Sequence, residues 1–102
     1  MTALEKLEAN EKKIAMLDAV GWRCEVGGEP LTISTAQLAH RIPSTKSYIN
    51  KYGAYIIHHR LNMAVTCAKH NSYVLIDPKT HPVEAEALIT RIRIALDTGV
   101  IW

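Results

Sequence analysis

The residues of this chain that can do chemistry gather in its middle. Cys24 and Cys67 are its two thiols, His40, His58, His59 and His70 are four of its five imidazoles, and Asn62 and Asn71 lie on either side of Cys67. An imidazole titrates near neutrality, so it can take a proton from water at working pH or ligate a metal through a ring nitrogen. A thiolate is a metal ligand as well. Taken singly, each residue has a plainer use. A lone histidine is more often a hydrogen-bonded core or surface residue, a lone buried cysteine is a small hydrophobe, and His58-His59 at a strand end would put one ring inside and one outside. With only two cysteines, far apart, the chain is not a disulfide scaffold, and an intracellular setting favours free thiols or a metal.

Three stretches bear on the choice: Cys24-Glu-Val-Gly27-Gly28, then Gln37-Leu-Ala39-His40-Arg41-Ile42-Pro43, then Asn62-Met-Ala-Val-Thr-Cys67-Ala-Lys-His70-Asn71. Their order and internal spacing resemble the HNH endonuclease family, in the form that ends in Asn instead of His. That pattern runs from a Cys-x-x-Cys-Gly turn to a strand ending in His followed by Ile and Pro. After a variable loop comes Asn-x-x-x-x-Cys-x-x-Cys-Asn. The resemblance covers residues 22–77, with His70 in place of the last cysteine.

The resemblance implies a small ββα-metal core and hydrolysis of DNA phosphodiester bonds. An anionic phosphodiester repels hydroxide, so cleavage gains from a base beside the phosphorus and a cation on the leaving oxygen. By resemblance His40 would be that base, Asn62 would orient its ring by a hydrogen bond, and Asn71 would face a divalent cleavage cation (Mg, Mn, Ni or Zn) or the phosphate. Cys24, Cys67 and His70 would be ligands of a structural zinc.

Two positions depart from the pattern. Gly27 stands where the fourth zinc ligand belongs, leaving an incomplete set: zinc held by three residues plus water or a nearby histidine, or no zinc. Ala39 stands where many family members carry Asp or His as a cation ligand. The cation would then rely on Asn71, on substrate phosphate, or on His58 or His59.

Charge is compatible with a polyanionic partner. No Asp or Glu occurs between Glu29 and Asp77, whereas Arg41, Lys46, Lys51, Arg60 and Lys69 do. Such residues would hold a DNA backbone without reading bases, in a salt-sensitive way. Five bases over so long a stretch could equally solvate a surface. No stretch is apolar enough to span a membrane, and the mixed-charge N-terminus lacks the apolar core of a secretory signal, so a cytoplasmic protein is expected; the resemblance implies a phage or mobile-element type.

The elements that must position these residues read as α+β, one domain over residues 1–102 with an N-terminal and a C-terminal helix flanking the core. A capping box at Thr2 to Glu5 and apolar spacing at Leu4, Leu7, Ile14, Leu17 and Val20 predict a helix over 3–20, left through Gly21. A turn and short ribbon follow over 22–35, a strand over 36–42, a loop over 44–53 with room for one helical turn, a strand over 61–66 and a short helix over 68–76. Pro82, the spacing Ala85, Leu88, Ile89, Ile92, Leu96, and Gly99 predict a helix over 82–97. Trp22 and Trp102 are expected as core fillers, and Tyr48, Tyr52 and Tyr55 as packing the loop down.

Three functions compete at this level. The first is a metal-dependent endonuclease. The second is a catalytically impaired HNH-fold module that binds nucleic acid or a protein. The third is a structural protein whose terminal helices dimerise, the Val100-Ile101-Trp102 tail folding back or meeting a second subunit. The sequence does not choose an oligomeric state.

Overall fold

The structure is a computed structural model that describes residues 3–100, and the backbone only of 5–9. Among the described residues it is a mixed α+β arrangement of helical segments and one two-stranded antiparallel sheet. The first helix, α1 (Ala3–Ala19), ends as its glycine predicts, with Gly21 at φ 67° and Trp22 continuing the left-handed turn at φ 59°. Of its apolar stripe, Leu17 is buried beside Met16, whereas Leu4 and Ile14 are exposed. Trp22 is half-buried and not a core filler, because its left-handed backbone turns the indole back along the helix, where Nε1 donates to Asp18 Oδ1 at 2.8 Å. The Thr2 cap and Trp102 lie outside the described residues.

Both strands are shorter than the sequence predicts: β1 is Gln37–His40 and β2 is Met63–Thr66. The cause is Asn62. Its fully buried amide takes both the N–H and the C=O of Ile42, so that residue is bonded to a side chain instead of a neighbouring strand. Residues Arg60–Asn62 form a 3₁₀ turn.

The segment expected as a loop over 44–53 contains a helix, α2 (Lys46–Tyr52). Thr45 starts it by accepting from Tyr48 N at 3.2 Å, a hydroxyl cap of the ordinary kind, and Gly53 at φ 95° ends it. A short α3 (Ala54–Ile57) follows. Tyr48 and Tyr52 pack down, while Tyr55 is 76% exposed. The short helix expected over 68–76 is a 3₁₀ helix at Ala68–Val74. Helix α4 (Pro82–Asp97) has the predicted bounds, with Ala85, Leu88, Ile89 and Ile92 buried.

The chain divides into two compact units. One is the chain up to Ala39 with Val65–Tyr73, and the other is His40–Ala64 with the chain from Val74 onward. In the first, Met16, Leu17, Cys24, Leu31, Ala36, Ala39 and Val65 are buried. In the second, α4 supplies Ala85, Leu88, Ile89 and Ile92 to a cluster with Ile42, Ile56 and Ile57. Among the described residues, no helix is long and apolar enough to cross a membrane.

Candidate metal centre and histidine pair

In the first unit, the turn after α1 closes on itself through backbone hydrogen bonds. Cys24 N donates to Glu29 O, Gly28 N to Cys24 O and Leu31 N to Trp22 O. That closure sets Cys24 and Glu29 opposite each other. The turn is tied to β2 by Glu25 N donating to Val65 O, and by Val65 N donating to Glu25 Oε2 at 2.7 Å. Just beyond β2 the chain bends so that His70 N donates to Cys67 O, which folds the His70 ring back over Cys67.

The outcome is a four-residue group of Cys24, Glu29, Cys67 and His70, with one donor atom from each and all of these within 4.8 Å of one another. His70 Nδ1 lies 3.1 Å from Glu29 Oε2, 3.2 Å from Cys67 Sγ and 3.7 Å from Cys24 Sγ. A tetrahedral site with bonds of about 2.0 Å to N or O and about 2.3 Å to S has ligand–ligand edges of roughly 3.2–3.8 Å. The distances from His70 Nδ1 and the 3.4 Å from Cys67 Sγ to Glu29 Oε2 lie close to that range, while the full spread of up to 4.8 Å would close on an ion. The Cys67 thiol donates to Glu29 Oε2 at 3.4 Å, and a cation at the centre of the group would be faced by all four donor atoms at once. These residues can therefore hold a metal ion, and two sulfurs with an imidazole favour a soft or borderline metal over Mg or Ca.

Electrostatics within the group favours the ionised form of Cys24 and Glu29 and opposes that of Cys67. Burial opposes ionisation of Cys24, but the N–H groups of Gly27, Cys67 and Val26 and the His70 ring outweigh it and bring the thiol to about 7. Glu29 is pulled below its ordinary value: its partial desolvation is outweighed by the Cys67 thiol and the charge of His70. Cys67 is pushed up, first by burial and then by the neighbouring Glu29 and Cys24. Both cysteines are free thiols.

Sequence reasoning missed Glu29. It weighed water or a histidine as the fourth donor, yet closing the predicted turn as a ribbon pairs position 24 with position 29. Gly27, the position the pattern asked for, is instead where the Glu29 carboxylate lies: a Cβ there would collide with Glu29 Oε1 and His70 Cε1.

In the second unit, His40 ends β1 half-buried, and its Nε2 is 3.2 Å from Nδ1 of the exposed His58, which follows α3. Burial first, and the neighbouring His58 second, lower the His40 pKa, so its ring is neutral at pH 7. Consecutive histidines part ways here. His59 is buried, with Nε2 donating to Val100 O at 2.8 Å and Nδ1 accepting from Leu61 N at 3.2 Å. Both its nitrogens are used in holding the fold.

No family model, curated protein or solved structure matches the chain.

The remaining expected site residues fall as follows. Asn62 does not orient the His40 ring through its amide: Oδ1 accepts from Ile42 N, and Nδ2 donates to Ile42 O and Ile57 O at 3.1 and 2.8 Å. The partner at His40 Nε2 is His58. Asn71, in the first unit, donates from Nδ2 to Gln37 Oε1 at 2.7 Å. Lys46, Lys51, Arg60 and Lys69 are exposed and Arg41 is half-buried. Lys51 Nζ lies 5.2 Å from the Tyr52 ring centre.

Proposed function

We propose that the chain is an HNH-type endonuclease that hydrolyses DNA phosphodiester bonds, with His40 as general base. The observation that carries this is the meeting of Cys24, Cys67 and His70, three residues singled out by the knuckle pattern alone, with Glu29 completing the set. A structural zinc at that group would tie the turn at 24–29 to the segment after β2, a part of the chain with few buried apolar side chains of its own. Its fold would then be the ββα-metal core flanked by α1 and α4.

His40 has the properties a base requires. It is half-buried, neutral at pH 7 and oriented by a neighbouring ring nitrogen. It would take the proton of the attacking water, while Lys46, Lys51, Arg60, Arg41 and Lys69 would hold the DNA backbone without regard to sequence. The chain offers little to a cleavage cation beside His40: Ala39 is buried and has no donor atom, and Asn71 is bonded to Gln37 in the first unit, so substrate phosphate would provide most of the ligands. A divalent cation held there would neutralise charge on the leaving oxygen.

The test is nicking of supercoiled plasmid in Mg²⁺, Mn²⁺ or Ni²⁺. The wild-type chain cuts and His40→Ala does not; cutting that survives the substitution removes His40 from the role. Ala39 favours a second reading, a module of the same fold that binds DNA or a protein without cleaving. Salt-sensitive DNA binding with no cutting in any of the three metals would select it.

A further inference from the structure

We infer that His40 and His58 form a second metal site, distinct in residues and in donor type from the Cys24–Glu29–Cys67–His70 group, that takes Zn²⁺. His40 Nε2 and His58 Nδ1 face each other at 3.2 Å. Two imidazole nitrogens bound to one ion at about 2.0–2.1 Å stand roughly 3.0–3.4 Å apart, depending on whether the ion is octahedral or tetrahedral. The rings cross at 78° with centroids 5.3 Å apart, so they meet by their nitrogen edges and do not stack face to face. His58 is exposed and His40 half-buried, which leaves one side open for water or a phosphate oxygen to complete the shell. Imidazole donors suit Zn, Ni and Cu, and no carboxylate within residues 30–76 is present to attract Mg²⁺ or Ca²⁺.

One consequence rests on the nuclease reading. An ion held by His40 Nε2 occupies the lone pair that a general base at this nitrogen must offer to water, so Zn²⁺ at this pair inhibits cleavage that Mg²⁺ or Mn²⁺ supports. The pair thus acts as a zinc-sensitive brake on the same histidine.

The test is calorimetric titration of the metal-free, reduced full chain with Zn²⁺, followed by histidine ring NMR signals. Two equivalents bind. The tighter is abolished by Cys67→Ser, and the weaker shifts the His40 and His58 ring signals together. His58→Ala, at an exposed position, keeps the tight equivalent and weakens the other at least tenfold. A stoichiometry of one, or a second equivalent that His58→Ala leaves unchanged, overturns the site. Cleavage assays separate the two ideas: a chain that binds two equivalents yet never cuts DNA keeps this site and loses the nuclease reading. Cutting in Mg²⁺ by the wild-type chain that stoichiometric zinc at the weaker equivalent stops supports both.

Discussion

The carboxylate of Glu29 occupies the space into which a side chain on Gly27 would project. The fourth donor of the group is thus moved two residues along the turn, and glycine at 27 is the condition for its arrival. Gly27→Ala should leave the fold intact, since what it displaces is side-chain atoms alone, the Glu29 carboxylate and the edge of the His70 ring, but should lower zinc affinity about tenfold or more, on the order of 1.4 kcal/mol. Glu29→Ala should weaken it comparably by deleting the donor. Competition against a chromophoric chelator reads both, and unchanged affinity in the pair of variants would remove Glu29 from the ligand set.

Zinc removal should be felt as lost stability. An ion that binds only the folded chain stabilises it by about 2.7 kcal/mol at a free concentration of 100 Kd. Chelation should therefore lower the Tm of the wild-type chain and leave that of Cys67→Ser unmoved. Affinity should also fall as the pH drops below neutrality, because the ion must displace protons from Cys24, at about 7, and from the raised Cys67. Binding isotherms at pH 6 and 8 check the direction.

Asn62 calls for a different expectation from the one its sequence position suggests. Its amide satisfies three backbone groups, on Ile42 and Ile57, in a fully buried setting. Each such group left unpaired costs about 1–3 kcal/mol. Asn62→Ala should destabilise the chain by roughly 3–5 kcal/mol in a denaturant titration. Whatever activity is lost should follow the unfolded fraction. A variant as stable as wild type but inactive would return Asn62 to the chemistry.

Much of this was legible in the residues. Helix α4 was predicted to the residue at its core face, because Ala85, Leu88, Ile89 and Ile92 keep strict helical spacing between a first-turn proline and a terminal glycine. Helix α2 was not, since Lys46–Tyr52 has no clear apolar period and owes its start to a single capping hydroxyl at Thr45. In the metal group, Cys24, Cys67 and His70 were visible as spacing, whereas Glu29 depends on how a turn closes in space. The histidine pair was still less accessible: His40 and His58 meet across 18 positions, with no periodic signal linking a strand end to the turn after α3.

The His40 pKa gives a prediction that depends neither on zinc nor on cleavage. Burial chiefly, and His58 next, hold it below its ordinary value near 6.5. Between the folded and the unfolded value the native chain binds fewer protons than the unfolded one, so stability rises with pH across that window. The contribution is present above about 6.5 and is lost as the pH falls through the folded value. NMR titration of the metal-free chain should find His40 titrating below 6.5. In His58→Ala the value should move part of the way back, since the neighbouring charge is gone while most of the burial remains. A His40 value at or above 6.5 in the wild-type chain would contradict both the packing and the pairing described for this ring.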